Sequence, residues 1–397
     1  MNALLAVYCD EFRRIFALKP VWSVLIGAVL IYAAFYPQPY VNEALRNVPI
    51  AVVDNDGTAS SRELARLIDA TPDIHVAMTL PDFVTAEREV YTRRIFGVLV
   101  IPQYFERDLL HGRPSPVALY SDASYFLMHQ RISAGVTSVS RTFGAQVEAT
   151  RLVGFGIDPV IASAVTDPLP LTSVPLFNPQ GGYATYVLPA AFVLILQQTL
   201  LVAVGLLGTL PGAGLSSGES ANAGPVTKVV GRLLAYLTVE AVVVPLYLIA
   251  LPYFYGVPRL GSLAAQLFFA IPFVLSTSAL GLVIAAWLRN PLMVQLVLAA
   301  IGLPFFFLAG FAWPVEAIPP AVHAVSFLVP STSAISALVR IGQLGASLHE
   351  VQPALWTLWG LTLFYGALAV LIEARATRPQ DRPKDRSGTP VPAAAES

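Results

Sequence analysis

Three side chains sit where lipid could not solvate them: Gln197, Gln198 and Glu240. The glutamines stand near the middle of the apolar run 183–207. Glu240 lies about eleven residues into the run 229–255, roughly 16 Å along a helix that rises 1.5 Å per residue. A carboxylate at that depth costs about 2.5–3.5 kcal/mol on insertion scales and marks a functional site by default. The spacing predicts that Glu240 faces the interior of a helix bundle and bonds Gln197 or Gln198. Such a bond serves either a polar substrate path or a neutral structural link between helices, worth about 0.6–2 kcal/mol. Other reactive groupings are weaker. Asp54-Asn55-Asp56-Gly57 opens like a calcium loop, but Ala65 stands where a bidentate Glu is needed, so a turn after a strand is expected. His75, His111, His129, His323 and His349 show no paired ligand spacing, and Cys9 is the only cysteine, so no metal site is expected. Arg93-Arg94 reads as a solvated charged face. No Gly-x4-Gly-Lys-Ser/Thr phosphate loop is present, and the glycine-rich run 212–218 lacks the following Lys and reads as a flexible loop. No cofactor bound by this chain is expected.

The elements that position these groups follow from composition. The chain is 55% hydrophobic and 12% charged with mean hydropathy +0.65, against roughly 25% charged residues in a soluble globular protein, so it is an integral membrane protein. A net charge of -1 argues against a nucleic-acid partner. The runs 20–36, 183–207, 229–255, 260–288, 291–311 and 354–372 are six expected spans. Residues 1–19 carry Leu4, Leu5, Tyr8, Phe12, Ile15 and Phe16 at helical spacing with Asp10, Glu11, Arg13 and Arg14 between them, the pattern of an amphipathic interfacial helix. Its acids, and the lack of an Ala-x-Ala site after the apolar run, argue against a cleaved leader. Six crossings put Arg13, Arg14, Lys19, Lys228, Arg232, Arg289 and the basic tail on one side, which is the cytosolic one. Both termini are then cytoplasmic in a multi-pass protein of the cell inner (plasma) membrane, and the tail 373–397 reads as disordered.

Residues 37–182 are different in character, with fifteen acids and eleven basic residues and no window able to span a bilayer. Runs 48–54, 74–80, 95–101 and 116–121 read as strands. Helices fall between them, one opening on a capping box from Ser60 to Glu63 and others over 103–110 and 124–154. This is an extracytoplasmic α/β domain with a mixed sheet. On the same side lies 305–345, nearly all apolar yet broken by Pro314, Pro319, Pro320 and Pro330. Broken apolar backbone survives at membrane depth only when packed in protein or lining a watery cavity. The prolines predict two half-helices dipping back into the membrane over 312–345, an outer gate with Phe311, Trp313, Pro314 and Pro330. The expected fold class is therefore a mainly α membrane protein: six transmembrane helices, an N-terminal interfacial helix, re-entrant half-helices between spans five and six, and an inserted extracytoplasmic α/β domain within a five-span membrane domain, 183–372, completed by the first span.

This layout resembles the permease subunits of type-2 ATP-binding-cassette exporters, in the drug-exporter-like bacterial branch with a large periplasmic insertion. The likeness is carried by the short first helix and single span, by the domain opening VPIAVVDNDGTASSRELARLI, and by the block WPVEAIPPAVHAVSFLVPSTSAISALVRIGQLGAS. The resemblance implies a separate cytosolic ATPase subunit that supplies ATP and Mg chemistry. It also implies a second permease half, as homo- or heterodimer, and a periplasmic adaptor docking on the large domain. The family's charged helix between spans two and three is reduced here to Glu219 and Lys228, so the ATPase contact expected is Arg13, Arg14, Glu219 and Lys228.

With what the resemblance implies added to the residues, three function classes remain. An exporter permease, moving an amphipathic small molecule or drug, leads. A membrane receptor with a periplasmic ligand-binding domain and no ATPase partner needs a cytosolic output domain, which the sequence after 372 does not supply. An intramembrane enzyme needs a clustered acid, base or metal set, and Glu240 stands alone.

Overall fold

The computed structural model describes residues 3–42, 44–179, 181–210 and 218–376. The loop reading of 212–218, apart from Gly218, and the tail from 377 onward lie outside them. Two compact units emerge: the described residues up to Val41 together with those from Thr185 onward, and Asn42–Ala184.

The chain begins with α1, Ala3–Ala17, and the first span, Lys19–Tyr40, which is π-helical over Ser23–Ala28. In the inserted unit, β1 (Val48–Asp54), β2 (Ile74–Leu80), β3 (Gly97–Ile101) and β4 (Ala118–Ser121) form a mixed sheet of order β2-β1-β3-β4. Only the pairing of β3 with β4 is antiparallel. Central β1 has apolar residues on both faces because helices cover both. Val48, Ile50 and Val52 pack with Leu64 and Ile68 of α2 (Ala59–Asp69) and with Ile132 and Val136 of the long α5 (Phe126–Gly154). Ala51 and Val53 pack with Ala86 of α3 (Phe83–Tyr91). A short α4, Phe105–Leu110, follows β3. Helix α5, Phe126–Gly154, and α6, Pro159–Thr166, pack together.

The start of α2 departs from expectation. The capping box is Thr58 with Ser61, not Ser60 with Glu63: the Ser61 amide donates to the Thr58 hydroxyl at 3.3 Å, and the Thr58 amide to the Ser61 hydroxyl at 3.0 Å. Gly57 (φ +66°) sets this register, because the turn it closes, with the Asp56 and Gly57 amides donating to Asp54, leaves Thr58 extended and first in line. Ser60 is drawn instead to Glu106, its hydroxyl donating at 2.8 Å, while Glu63 pairs with Arg66.

In the other unit, five further helices are long and apolar enough to cross a membrane: Tyr183–Thr209, Pro225–Phe254, Leu263–Leu288, Pro291–Leu308 and Gln352–Ala376. These second to sixth spans overlap all five remaining apolar runs. Their ends shift where local chemistry dictates. Pro225 at the first helical position starts the third span four residues early, and Gly310 (φ +72°) ends the fifth near Leu308 rather than at 311. The sixth span continues to Ala376, so 373–376 are helical and not tail. Between spans five and six, α7 (Pro320–Ser326) and α8 (Pro330–Gly342) meet at 85°. Each starts on a proline, which needs no amide partner there. Helix α1 packs on the third span, where Gly231 allows the approach: a Cβ there would stand 2.7 Å from a Val7 methyl.

The β1–α2 turn carries a pH signature. Burial pushes the Asp56 carboxyl up, but the Thr58 hydroxyl and the amides of Glu106, Phe105 and Tyr104 outweigh it and hold it below the usual carboxylate range. A depressed carboxyl stabilises the fold at neutral pH, and that contribution is lost as pH falls through the folded value. Asp56→Asn should therefore lower the melting temperature at pH 7 by a few degrees, and its difference from wild type should shrink as pH falls below the usual carboxylate range, as scanning calorimetry across pH will read.

Candidate functional site

The buried polar groups of the membrane unit are carried by four elements. Glu240 projects from the third span on the face shared with Tyr236, Val239, Val243 and Val244, and is 1% exposed. Neither carboxylate oxygen has a hydrogen-bond partner among the described residues. The expected bond to a glutamine is not formed, because each glutamine finds a backbone partner. Gln197, fully buried, accepts the Ser331 amide on Oε1 at 2.7 Å. That amide belongs to the first turn of α8, where no carbonyl of the helix can reach it. Gln198 donates from Nε2 to the Leu298 carbonyl of the fifth span at 2.5 Å. Gly302 leaves room for this, since a Cβ there would lie 3.3 Å from the same nitrogen. Gln197 Nε2 and Gln198 Oε1 remain without partners among the described residues.

Beginning at Ser331, the partner of Gln197, lies a hydroxyl set that the sequence reading passed over. Ser276, Thr277 and Ser278 of the fourth span and Ser331, Thr332 and Ser333 of α8 are all buried, and α8 packs on the fourth span. Of these six, only the Ser276 hydroxyl has a partner among the described residues, donating to the Phe273 carbonyl at 3.0 Å. Two runs of three hydroxyl residues inside apolar segments were the available signal. A buried hydroxyl usually bonds backbone, water or ligand, so an unpartnered group of five is surface suited to solvent or a polar solute.

The broken segment is tied down from both sides. Tyr186 of the second span stacks on Phe311 at 4.7 Å and donates to its carbonyl at 2.6 Å. Gln343 donates to the Thr185 carbonyl at 2.6 Å, and Tyr365 of the sixth span to the Leu328 carbonyl at 2.7 Å. Phe311 and Pro330 are buried in this region, whereas Trp313 is exposed and Pro314 leads into a turn, Val315–Ala317.

The charged residues near α1 make a third group. Arg14 donates to Glu11 at 2.8 Å and to the Leu207 carbonyl near the end of the second span at 2.9 Å. Tyr236 donates to the other Glu11 oxygen at 2.5 Å. Lys228 and Arg232 flank Glu373 at 3.2 and 3.3 Å. Arg13 is exposed, and Glu219 sits on a helical turn, Gly218–Ala221, against which α1 packs. Sequence reasoning found Arg14 and Lys228 but not Glu11, Tyr236, Arg232 or Glu373 as their companions. Asp10 and Glu11 were expected on a wet face. Both are buried, while Leu4, Leu5 and Phe16 face outward. Lipid favours apolar groups outside, and the acids gain partners inside.

Residues 19–371 match a family model described as ABC-2 family transporter protein. The chain is 21% identical over 398 residues to the linearmycin resistance permease protein LnrN of Bacillus subtilis (strain 168), covering 95% of this chain and all of that protein. It is 31% identical over 108 residues to the probable multidrug ABC transporter permease YbhS of Escherichia coli (strain K12), covering 27% of this chain and 29% of that protein.

The Glu11 site gives a direct stability test. Tyr236→Phe leaves a buried carboxylate oxygen short of a donor, which costs about 1.5–3 kcal/mol for a hydrogen bond to a charged group. The melting temperature in detergent should fall accordingly. Tyr8→Phe, which removes an exposed hydroxyl bond to Thr238, should leave it unchanged.

Proposed function

The chain belongs to the ABC-2 transporter family as a permease, and from that premise we propose that it exports an amphipathic small molecule or drug from the cytoplasm or inner membrane. A separate cytosolic ATPase subunit drives the cycle. The observation that carries this reading is the unpartnered polar set inside an apolar bundle: Glu240, Gln197 Nε2, Gln198 Oε1 and the five free hydroxyls. In a purely structural bundle these groups would be costly and purposeless. In a path they meet water and the polar end of a substrate while the apolar walls meet its body. The names of the two relatives, resistance permease and probable multidrug permease, point the same way.

On this reading Gln197, Gln198 and Glu240 line the substrate path. The bent pair α7 and α8 is a re-entrant outer gate on the extracytoplasmic side, involving Phe311, Trp313, Pro314 and Pro330. Its bonds to the second span, Gln197 to Ser331, Tyr186 to Phe311 and Gln343 to Thr185, are closing contacts that outward opening has to break. Arg13, Arg14, Glu219 and Lys228 face the ATPase from the cytosolic side, where both termini lie. The inserted α/β unit is periplasmic and offers a docking surface for an adaptor. The fifth span, of whose apolar window only 11% is buried against 83% for the second, leaves a face for the second permease half.

Two experiments test this. Purification from native membranes in mild detergent should bring down an ATP-hydrolysing subunit, and its reproducible absence overturns the ATPase-driven reading. In inverted vesicles holding that complex, ATP-driven uptake of an amphipathic dye should fall about tenfold in Glu240→Gln, the ~1.4 kcal/mol of one lost contact, and further in Glu240→Ala. Unchanged uptake in both variants at normal expression removes Glu240 from the path.

A further inference from the structure

A groove of about 780 Å³ runs between α1, the first span and the third span. Its walls include Phe12, Phe16, Leu25, Val242 and Leu246, and among its lining residues only Thr238 carries a polar side chain. That hydroxyl is already engaged, donating to the Leu234 carbonyl at 2.9 Å and accepting from Tyr8 at 3.2 Å. Nothing in the groove asks for a polar ligand. From Thr238 to Ala250 it follows the third span for about 18 Å, close to the roughly 15 Å of hydrocarbon in one leaflet. Both spans leave α-helical geometry where they line it. Ser23–Ala28 and Leu246–Ala250 are π-helical, and they contribute Leu25 and Ile26, and Leu246, Ile249 and Ala250. Such wide turns are rare and recur at functional sites.

The charges beside the groove differ from their neighbours. Arg14 is taken by Glu11, and Lys228 and Arg232 by Glu373. Arg13 and Lys19 are exposed, and their side chains make no hydrogen bond or ion pair among the described residues. Arg13 follows the lining residue Phe12 directly, and Lys19 begins the span that supplies Leu25. A dry channel of one leaflet's length, with one free cation next in sequence to its Phe12 wall and another at the start of the first span, is complementary to an acidic headgroup on an acyl tail.

We propose that this groove holds one acyl chain of an anionic phospholipid from the leaflet that carries α1, with the headgroup phosphate met by Arg13 and Lys19. The lipid braces α1 against the third span.

The test uses the full-length protein reconstituted in vesicles of equal parts phosphatidylglycerol and phosphatidylcholine, re-extracted in mild detergent and read by native mass spectrometry. Wild type should retain phosphatidylglycerol in preference to phosphatidylcholine. In Arg13→Gln with Lys19→Gln that preference should fall about fivefold per cation, the ~1 kcal/mol of a juxtamembrane cation near anionic lipid. Val242→Trp, which fills the groove, should lose the retained lipid, whereas Leu363→Trp, at a comparably exposed position on the sixth span, should keep it. The proposal is overturned by absence of preference in wild type, by unchanged preference in the double variant, or by equal lipid loss in the two Trp variants. The surface double variant keeps the test decisive should Val242→Trp fail to fold.

Discussion

Hydrocarbon offers no hydrogen bond, and the architecture of the membrane unit depends on how each polar group is excused from that fact. Where the backbone leaves regular helix, a long side chain from a neighbouring element reaches in. Tyr186 donates to the carbonyl of Phe311, Tyr365 to that of Leu328 and Gln343 to that of Thr185, while Gln197 accepts the amide of Ser331. Tyr247 donates to the Val29 carbonyl just beyond the π-helical turn of the first span. Each donor is an aromatic hydroxyl or an amide, able to bury its body among apolar neighbours while its tip satisfies backbone. The proline-broken segment is stable because it is paired with such tips. Its shape therefore depends on the second and sixth spans, which supply them.

The same constraint explains which parts were legible in the sequence. Spans are legible because a run of about twenty apolar residues has few other uses. The strands are legible because β1 must be apolar on both faces to sit mid-sheet under helices on each side. Partners were not legible. Gln197 could reach Glu240 or an amide freed by Pro330, and that choice turns on which helices are adjacent, which no single-chain pattern records. The capping box failed for a similar reason: Ser60 and Thr58 are equal as caps on paper. The turn at Gly57 and the pull of Glu106, distant in sequence, decide between them.

Helix α1 shows how far a sequence pattern can mislead about direction. Amphipathicity fixes that two faces differ, not which one faces the bundle. In lipid the rule of a water-soluble protein inverts, and Asp10 and Glu11 turn inward while Leu4, Leu5 and Phe16 face out. The inward acids make α1 more than a float on the interface. Through Glu11 it holds Tyr236 of the third span, and through Arg14 the Leu207 carbonyl of the second, while Glu373 of the sixth holds Lys228 and Arg232 of the third. Four elements are linked at one end of the unit by short, directional bonds between partly or fully buried groups. A displacement of α1 is thereby passed to three spans together.

At depth the pattern is reversed. The ends of the unit are bonded tightly, at one end by ion pairs and at the broken segment by tyrosine and glutamine tips, yet the interior is left with five hydroxyls, two amide atoms and a carboxylate unpaired among the described residues. A bundle selected for stability alone would fill those positions with Leu or Val. Closing the unsatisfied set by internal bonding would also weld the second span, the fourth span and α8 into one rigid block, since they carry most of those groups. Leaving them unpaired keeps these elements free to separate. The one link made, Gln197 to Ser331, joins the second span to the first turn of α8. Breaking it frees a glutamine oxygen and a helix-start amide at once, an acceptor and a donor, beside hydroxyls that can serve as either. The cost of opening is therefore low wherever water or a polar solute can take their place, and high where only lipid can.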